Sequence, residues 1–327
     1  MKKLVYLIPA ILMAPVIILG GMILFSYPEA PPPLEAVEKN VALIASFSQS
    51  LPPLEFYQAR DGQKLAYRTY EGHPGRGVVI AVHGSTGFSI AMHAIAAALQ
   101  ARGQTVYTLD LRGHGESGSL GDVSYIDQPL DDLADLLHKI EGAKASEKKI
   151  LLGHSLGGTF VLKVAGSRLS RKFDGFVALS PPLGASKSTY KPHAGWANVA
   201  VPRIIALSIL NRFGVHILDH LPTVAFATEA NPKVNRDTVH SHALLTSLSL
   251  PKPWEPAVAR IGKPTVIMIG ETDELFNAAA YGPEIASINP KIRVLIVPQT
   301  GHMDMVLNSN AFLQEGMVVD ELIHAAR

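Results

Sequence analysis

Short apolar runs separated by helical stretches constrain this chain more than any other feature. They occur at Gly77–Val82, Thr105–Leu109, Lys149–Leu152, Phe176–Leu179, Pro264–Ile269 and Ile292–Val297. A strand buried on both faces reads as a continuous apolar run, whereas a half-exposed strand alternates. Helical patterns fill the gaps: Ser89–Arg102, Pro129–Ile140, Ser155–Arg168, Asn277–Ile288 and Asp304–Ala326. The first is followed by Gly103 as a C′ residue, and the second puts Leu130, Leu133, Leu136, Leu137 and Ile140 on one stripe. Repeated strand–helix units of this kind predict an α/β fold, a mostly parallel sheet with helices on both faces. Ahead of them, Glu55–Tyr70, with Asp61-Gly62 between two alternating runs, predicts a β-hairpin.

The rhythm stops after Pro181-Pro182 and resumes at Pro264. Residues 184–261 therefore read as a helical lid inserted into a core made of residues 54–183 and 262–327, with Pro202–Phe213 one of its helices. Its apolar residues (Trp196, Ile204, Ile205, Leu207, Ile209, Leu210, Phe213, Phe226) suit contact with an acyl chain. Residues 28–53, punctuated by Pro28, Pro31, Pro32, Pro33, Pro52 and Pro53, read as a stalk with a short helix around Leu34–Ser48.

Residues 1–27 begin with Lys2-Lys3 and carry no charge from Leu4 to Tyr27. As a helix that stretch spans roughly 36 Å, against about 30 Å for a bilayer hydrocarbon core. It reads as a single-pass transmembrane anchor, N-terminus cytoplasmic and the rest of the chain outside, periplasmic or extracytoplasmic. A cleaved secretory signal releasing a soluble protein is the alternative. The apolar run exceeds a usual signal core, and no small-x-small site follows it. A net charge of +1 without a basic stripe argues against a nucleic-acid partner, and the absence of cysteine excludes a thiol nucleophile and cysteine-ligated metal.

The chemistry-bearing signal is Gly153-His154-Ser155-Leu156-Gly157, preceded by a strand pattern and followed by a helix. A nucleophilic serine has to stand on a sharp strand-to-helix turn, and glycines two positions either side let the two elements approach. The hydroxyl needs a base, and the base an orienting acid, in the chain order serine, acid, histidine. Asp273 follows the run ending near Gly270 and His302 the run ending at Val297, so both should emerge at the sheet edge that carries Ser155. His83-Gly84-Ser85, at the end of the Gly77–Val82 run, supplies the other half of an oxyanion site: the backbone N–H groups of Ser85 and Leu156 would be its donors.

HGSTG, LDLRGHGESG, GHSLGG, GETDELF and GHMDM, in this order, resemble the α/β-hydrolase superfamily, nearest its monoacylglycerol lipases, lysophospholipases and serine aminopeptidase-type hydrolases. The likeness covers the chain from Leu54 onward, the lid excepted. It implies an eight-stranded sheet with a lid after the sixth strand and no cofactor. It also implies Ser155 as nucleophile, Asp273 as acid, His302 as base, and Ser85 and Leu156 as oxyanion donors. The expected reaction is hydrolysis of a carboxylic ester such as a monoacylglycerol or lysophospholipid. A peptidase or acyltransferase on the same triad, or a non-catalytic binding protein keeping the fold, are the alternatives. Ser85-Thr86 departs from the small apolar residues commoner there.

Two further patterns are read as structural. Gly113-His114-Gly115-Glu116-Ser117-Gly118 matches a dinucleotide fingerprint but opens no helix at once, and the acidic residue near the required offset, Asp135, falls within a helix. His216, His220, His240 and His242 lack a metal-binding frame and are expected on the lid surface, so no metal site is expected.

Overall fold

A computed structural model describes residues 2–34, 40, 43–44, 46–47, 50–144, 146–184, 188–192, 195–228 and 237–325. In the first helix it describes side chains from residue 13 onward. The short helix expected around Leu34–Ser48 lies largely outside the described residues.

The hairpin forms as β1 (Leu54–Gln58) and β2 (Lys64–Tyr70), antiparallel, with Gly62 at φ +85° in its turn. Then come β3 (Val78–Val82), β4 (Thr105–Leu109), β5 (Lys149–His154) and β6 (Gly175–Leu179). The lid contains β7 (Ala197–Val199), β8 (Pro222–Phe226) and β9 (Val239–Ser241), and the core closes with β10 (Thr265–Gly270) and β11 (Arg293–Val297). The main sheet has eight strands in the order β1-β2-β4-β3-β5-β6-β10-β11. Every pair from β4 to β11 in that order is parallel.

Why the runs are continuous is visible in the packing. On β3, Ile80 and Val82 enter one core layer with Leu133, Leu136, Leu137 and Phe160, whereas Val79 and Ala81 face the other with Met92, Ile95 and Leu99. Both faces of the strand are covered, so neither tolerates a polar residue. The Leu stripe of the helix Gln128–Lys144 supplies the first layer. The helices His93–Ala101 and Ser309–Ala325 supply the second.

Three expectations are corrected. The lid is not purely helical: beside the helices Val201–Arg212, His242–Leu248 and Glu255–Ala259 it carries the antiparallel sheet β7-β8-β9. Two of those strands are three residues long, too short to show a period. The closing helix is broken: Asn308 is extended (φ −106°, ψ 128°), dividing Asp304–Leu307 from Ser309–Ala325. The lid's apolar residues do not all face the site. Leu207 and Leu210 pack with Leu19, Met22 and Ile23 of the first helix, while Phe213 is 80 % exposed.

That first helix runs Lys2–Leu24, and its last turns dock on the lid helix Val201–Arg212. Arg203, buried, donates through Nε to the Ile23 carbonyl at 2.9 Å and through an Nη to the Pro222 carbonyl at 2.9 Å, with its guanidinium over the Tyr27 ring. It thereby satisfies a helix-terminal carbonyl that has no intrahelical donor. The following segment keeps to the lid, with Asn198 donating to the Glu29 carbonyl and the Leu34 N–H to that of Ala227. Among the described residues, no helix is long and apolar enough to cross a membrane.

Candidate active site

Ser155 stands between β5 and the helix Leu156–Ala165 with φ 53° and ψ −124°. Non-glycine residues rarely adopt this backbone, which costs about 1–3 kcal/mol and persists only where its surroundings impose it. Here they do. The Ser155 N–H donates to the Leu179 carbonyl at 2.8 Å, fixing the turn against β6. A Cβ on Gly157 would stand 2.3 Å from the His83 carbonyl oxygen, and one on Gly153 2.4 Å from the Gly157 oxygen, so this elbow closes only with glycine at both places. Gly84 brings the end of β3 alongside: its missing Cβ would lie 3.2 Å from that of Ser155.

Asp273 and His302 leave the sheet at the same edge. Gly270 of β10 is level with Val297 of β11, so the loops that follow start side by side. His302 Nδ1–H donates to Asp273 Oδ2 at 2.8 Å. The other Asp273 oxygen accepts from the Leu275 and Phe276 N–H groups at 2.9 and 3.0 Å. Burial pushes the Asp273 carboxyl up, but the His302 imidazole, by hydrogen bond and charge, together with the Ser180 hydroxyl and the Leu275 N–H, holds the group below the usual carboxylate range. With its proton on Nδ1, His302 presents the Nε2 lone pair, the acceptor a serine hydroxyl requires.

Three residues that sequence reasoning gave no role hold His302 in place. Its N–H donates to Glu274 Oε2 at 2.7 Å, and its carbonyl accepts from His154 Nε2–H at 2.9 Å. Phe276 packs edge-on against the ring at 5.4 Å between centroids. His154, next to Ser155 in sequence and 4.7 Å from the His302 ring, is what ties the elbow to the histidine loop. Between Ser155 Oγ and His302 no hydrogen bond forms. Such bonds are often long without substrate and tighten in the reacting complex.

Opposite stands the β3 end. His83 Nε2 accepts from the Leu111 N–H at 3.2 Å, which puts its proton on Nδ1, and that proton is donated to the Gly84 carbonyl at 2.7 Å. Among the described residues, neither the Ser85 nor the Leu156 N–H meets a protein acceptor. Both are therefore available to a developing oxyanion. The lid touches both sides: Trp196 Nε1–H donates to Ser85 Oγ at 3.3 Å, and Lys191 Nζ donates to the Asp273 carbonyl at 2.6 Å.

The two decoy patterns separate. The Gly113–Gly118 segment is a structural loop, closed by a bridge between His114 and Ser117, and Asp135 pairs with Arg60 at the surface. The lid histidines do not behave as one set. His216 and His220 are exposed and pair with Asp219 and Asp122. His240 and His242, expected on the surface, are buried. His240 meets Asp237 and His114, and ligand atoms of these three residues lie within 4.8 Å of one another, a spacing a metal ion could also use.

Comparison with known proteins follows the same lines. A family model described as Serine aminopeptidase, S33 matches residues 73–303. A monoacylglycerol lipase of Mycolicibacterium smegmatis is 26 % identical over 62 % of this chain and 72 % of its own length. An sn-1-specific diacylglycerol lipase of Mus musculus is 23 % identical over 73 % and 79 %. Among solved structures, a soluble variant of monoglyceride lipase from Saccharomyces cerevisiae aligns with a TM-score of 0.61 at 18 % identity, over 84 % of this chain and 96 % of that one. The likeness to that structure shows the fold.

His83 and His154 give this site a measurable signature. Burial, with the neighbouring His114 and His302 respectively, pushes each down to about 3. In the unfolded chain each would titrate near 6.5. The unfolded state therefore binds more protons below that pH, and stability is lost as pH falls from about 6.5 toward 3. Between pH 7.5 and 5.5 each should cost about 1.4 kcal/mol. Urea unfolding at the two pH values checks this, and His154→Gln should remove about half of the two histidines' combined loss.

Proposed function

The chain belongs to the serine aminopeptidase S33 family of α/β-hydrolases, and from that premise we propose that it is an esterase working through a Ser155 acyl-enzyme. The observation that carries this reading is the 2.8 Å contact of His302 Nδ1 with Asp273, on the sheet edge where Ser155 holds its strained turn. In the first half-reaction the Ser155 proton passes to His302 Nε2 as Oγ bonds to the ester carbon. The carbonyl electron pair moves onto oxygen, facing the Ser85 and Leu156 N–H groups. Collapse of that intermediate breaks the bond to the leaving alkoxide, which takes the proton back from His302. Water repeats the sequence on the acyl-enzyme. Asp273 holds the productive tautomer and stabilises the imidazolium formed in each half. Each oxyanion donor is worth roughly 10²–10³ in kcat.

The relatives and the lid support a substrate class. Relatives named as acylglycerol lipases support a monoacylglycerol-type ester, and the apolar lid residues a medium or long acyl chain on it. Trp196, whose indole N–H donates to Ser85 Oγ and whose ring lies 5.6 Å from that of the buried Phe226, offers apolar surface beside that oxyanion donor. Ser155→Ala is expected to lower kcat about a millionfold, by analogy with triad deletions, and to abolish labelling by a fluorophosphonate. Turnover rising with acyl length across an ester panel supports the lipid reading; strict preference for acetyl, or for an aminoacyl amide, contradicts it.

We also propose a membrane location for the site, on the sequence of the N-terminal segment. Lys2-Lys3 followed by an uncharged run to Tyr27 supports an N-terminal anchor, with the enzymatic domain on the extracytoplasmic side. Docking of the helix end on the lid would then hold the site close to lipid. Full-length protein should stay in the pellet on alkaline carbonate extraction and keep its N-terminus; a soluble chain starting near residue 30 contradicts the anchor.

A further inference from the structure

Behind the oxyanion segment lies a group of buried side chains that no step above uses: His114, Asp237 and His240, with His83 beside them. His114 comes from the loop after β4, whereas Asp237 and His240 belong to the lid. The rings of His83 and His114 meet edge-on at 4.7 Å between centroids, and those of His114 and His240 at 5.2 Å.

Their polar atoms converge on one acceptor. His114 Nε2 is 2.9 Å and His240 Nε2 2.8 Å from the carbonyl oxygen of Ser85. A neutral imidazole that presents Nε2 to a carbonyl must carry its proton there. His114 Nδ1 also faces a carbonyl, that of Arg112, but at 3.3 Å, so the shorter contact at Nε2 takes the proton; both rings are then Nε2–H tautomers, and together they occupy both lone pairs of the Ser85 oxygen. Asp237 Oδ2 lies beside these donors, 2.6 Å from His240 Nε2 and 3.6 Å from His114 Nε2. No N–H among the described residues is aimed at either Asp237 oxygen, while His240 Nδ1 also meets no donor. The charge of Asp237 therefore acts across a short distance in a buried site, where a carboxylate favours hydrogen on the nearer ring nitrogen.

The consequence falls on two successive peptide planes. His83 holds the Gly84 carbonyl at 2.7 Å, and in a trans peptide this turns the Ser85 N–H to the opposite side. His114 and His240 hold the next carbonyl, that of Ser85, so the residue is gripped before and after its Cα. Lid aromatics brace the arrangement: Phe226 meets the His240 ring edge-on at 4.7 Å, and Trp196 donates to Ser85 Oγ.

We propose that Asp237 and His240 of the lid, acting with His114, are positioning residues that hold the Ser85 carbonyl and so aim the Ser85 N–H at the oxyanion. The hole is then complete only when the lid is seated, and catalytic competence is linked to lid closure through hydrogen bonds. This rests on the serine-esterase reading. Hydrogen bonding accounts for the cluster without a metal: both Nε2 atoms direct their protons at the same oxygen, whereas an ion would need both nitrogens deprotonated.

The test uses the full-length chain, an ester substrate and an alkyl trifluoromethyl ketone. Ser155 Oγ adds to the ketone carbon, the carbonyl pair becomes an oxyanion in the hole, and the serine proton passes to His302. His240→Leu removes one donor and should lower kcat about 10- to 100-fold with KM within about twofold, short of the roughly 10²–10³ that follows outright loss of an oxyanion donor. Affinity for the ketone should fall by the same factor as kcat, while affinity for the corresponding secondary alcohol, which forms no oxyanion, is unchanged. His240→Gln, whose amide can donate to the same carbonyl, should recover most of the loss. Should the leucine variant not fold, Asp237→Asn carries the same comparison, because it keeps the shape and removes the charge. Unchanged kcat, or ketone and alcohol affinities falling together, would overturn the proposal. So would one equivalent of a divalent metal whose removal by chelator abolishes activity. A wild-type chain that the fluorophosphonate does not label at all would instead remove the esterase reading, which separates the two failures.

Discussion

The hydrogen bond between His302 Nδ1 and Asp273 is the interaction on which the rest of this structure depends. It joins two loops that share no sequence neighbourhood, and its donor and acceptor are both buried. A buried carboxylate is costly unless paired and hydrogen-bonded. Asp273 meets that requirement with the imidazole on one oxygen and two backbone N–H groups on the other. The parallel register of β10 on β11 makes the meeting possible, because it starts both loops at one level of the sheet. The β5–β6 pairing brings Ser155 to the same edge, with the Ser155 N–H tied to the last residue of β6.

Around that bond the protein arranges histidines in two states. His302 is oriented to receive a proton, whereas His83 and His154 are held neutral by burial and serve as hydrogen-bond fixtures, each with one nitrogen committed to a backbone carbonyl. The lid joins this frame at several points. Trp196 and His240 reach the Ser85 segment, Lys191 reaches the Asp273 carbonyl, and Arg203 fastens the lid helix to the end of the first helix. The insertion is accordingly part of the site's scaffold as well as its cover.

Much of this was legible in the sequence, for identifiable reasons. The continuous apolar runs revealed the doubly covered strands, since both faces of β3, β5 and β10 are buried and polar residues occur only at the ends of β5 and β10. Ser155, Asp273 and His302 were visible because each lies just past such a run. The lid was not legible to the same degree: strands of three residues carry no period, and helix-like stretches there pack on the first helix instead of the site. His240 looked like a surface residue because its partners are a local aspartate and a histidine more than a hundred positions earlier, and no spacing rule links them. Glu274 and His154 were hidden for another reason. Flanking a candidate catalytic residue carries no signal until the backbone shows which carbonyl or N–H each reaches.

The central claim is that the hydroxyl of Ser155 carries the acyl group. Rapid acid quenching during turnover of a slowly deacylated ester, followed by peptide mass spectrometry, tests it most directly. The account requires the acyl mass on the peptide containing Ser155, at a burst amplitude approaching one per chain. Acyl mass on a different residue, or continued hydrolysis with no covalent adduct, contradicts it.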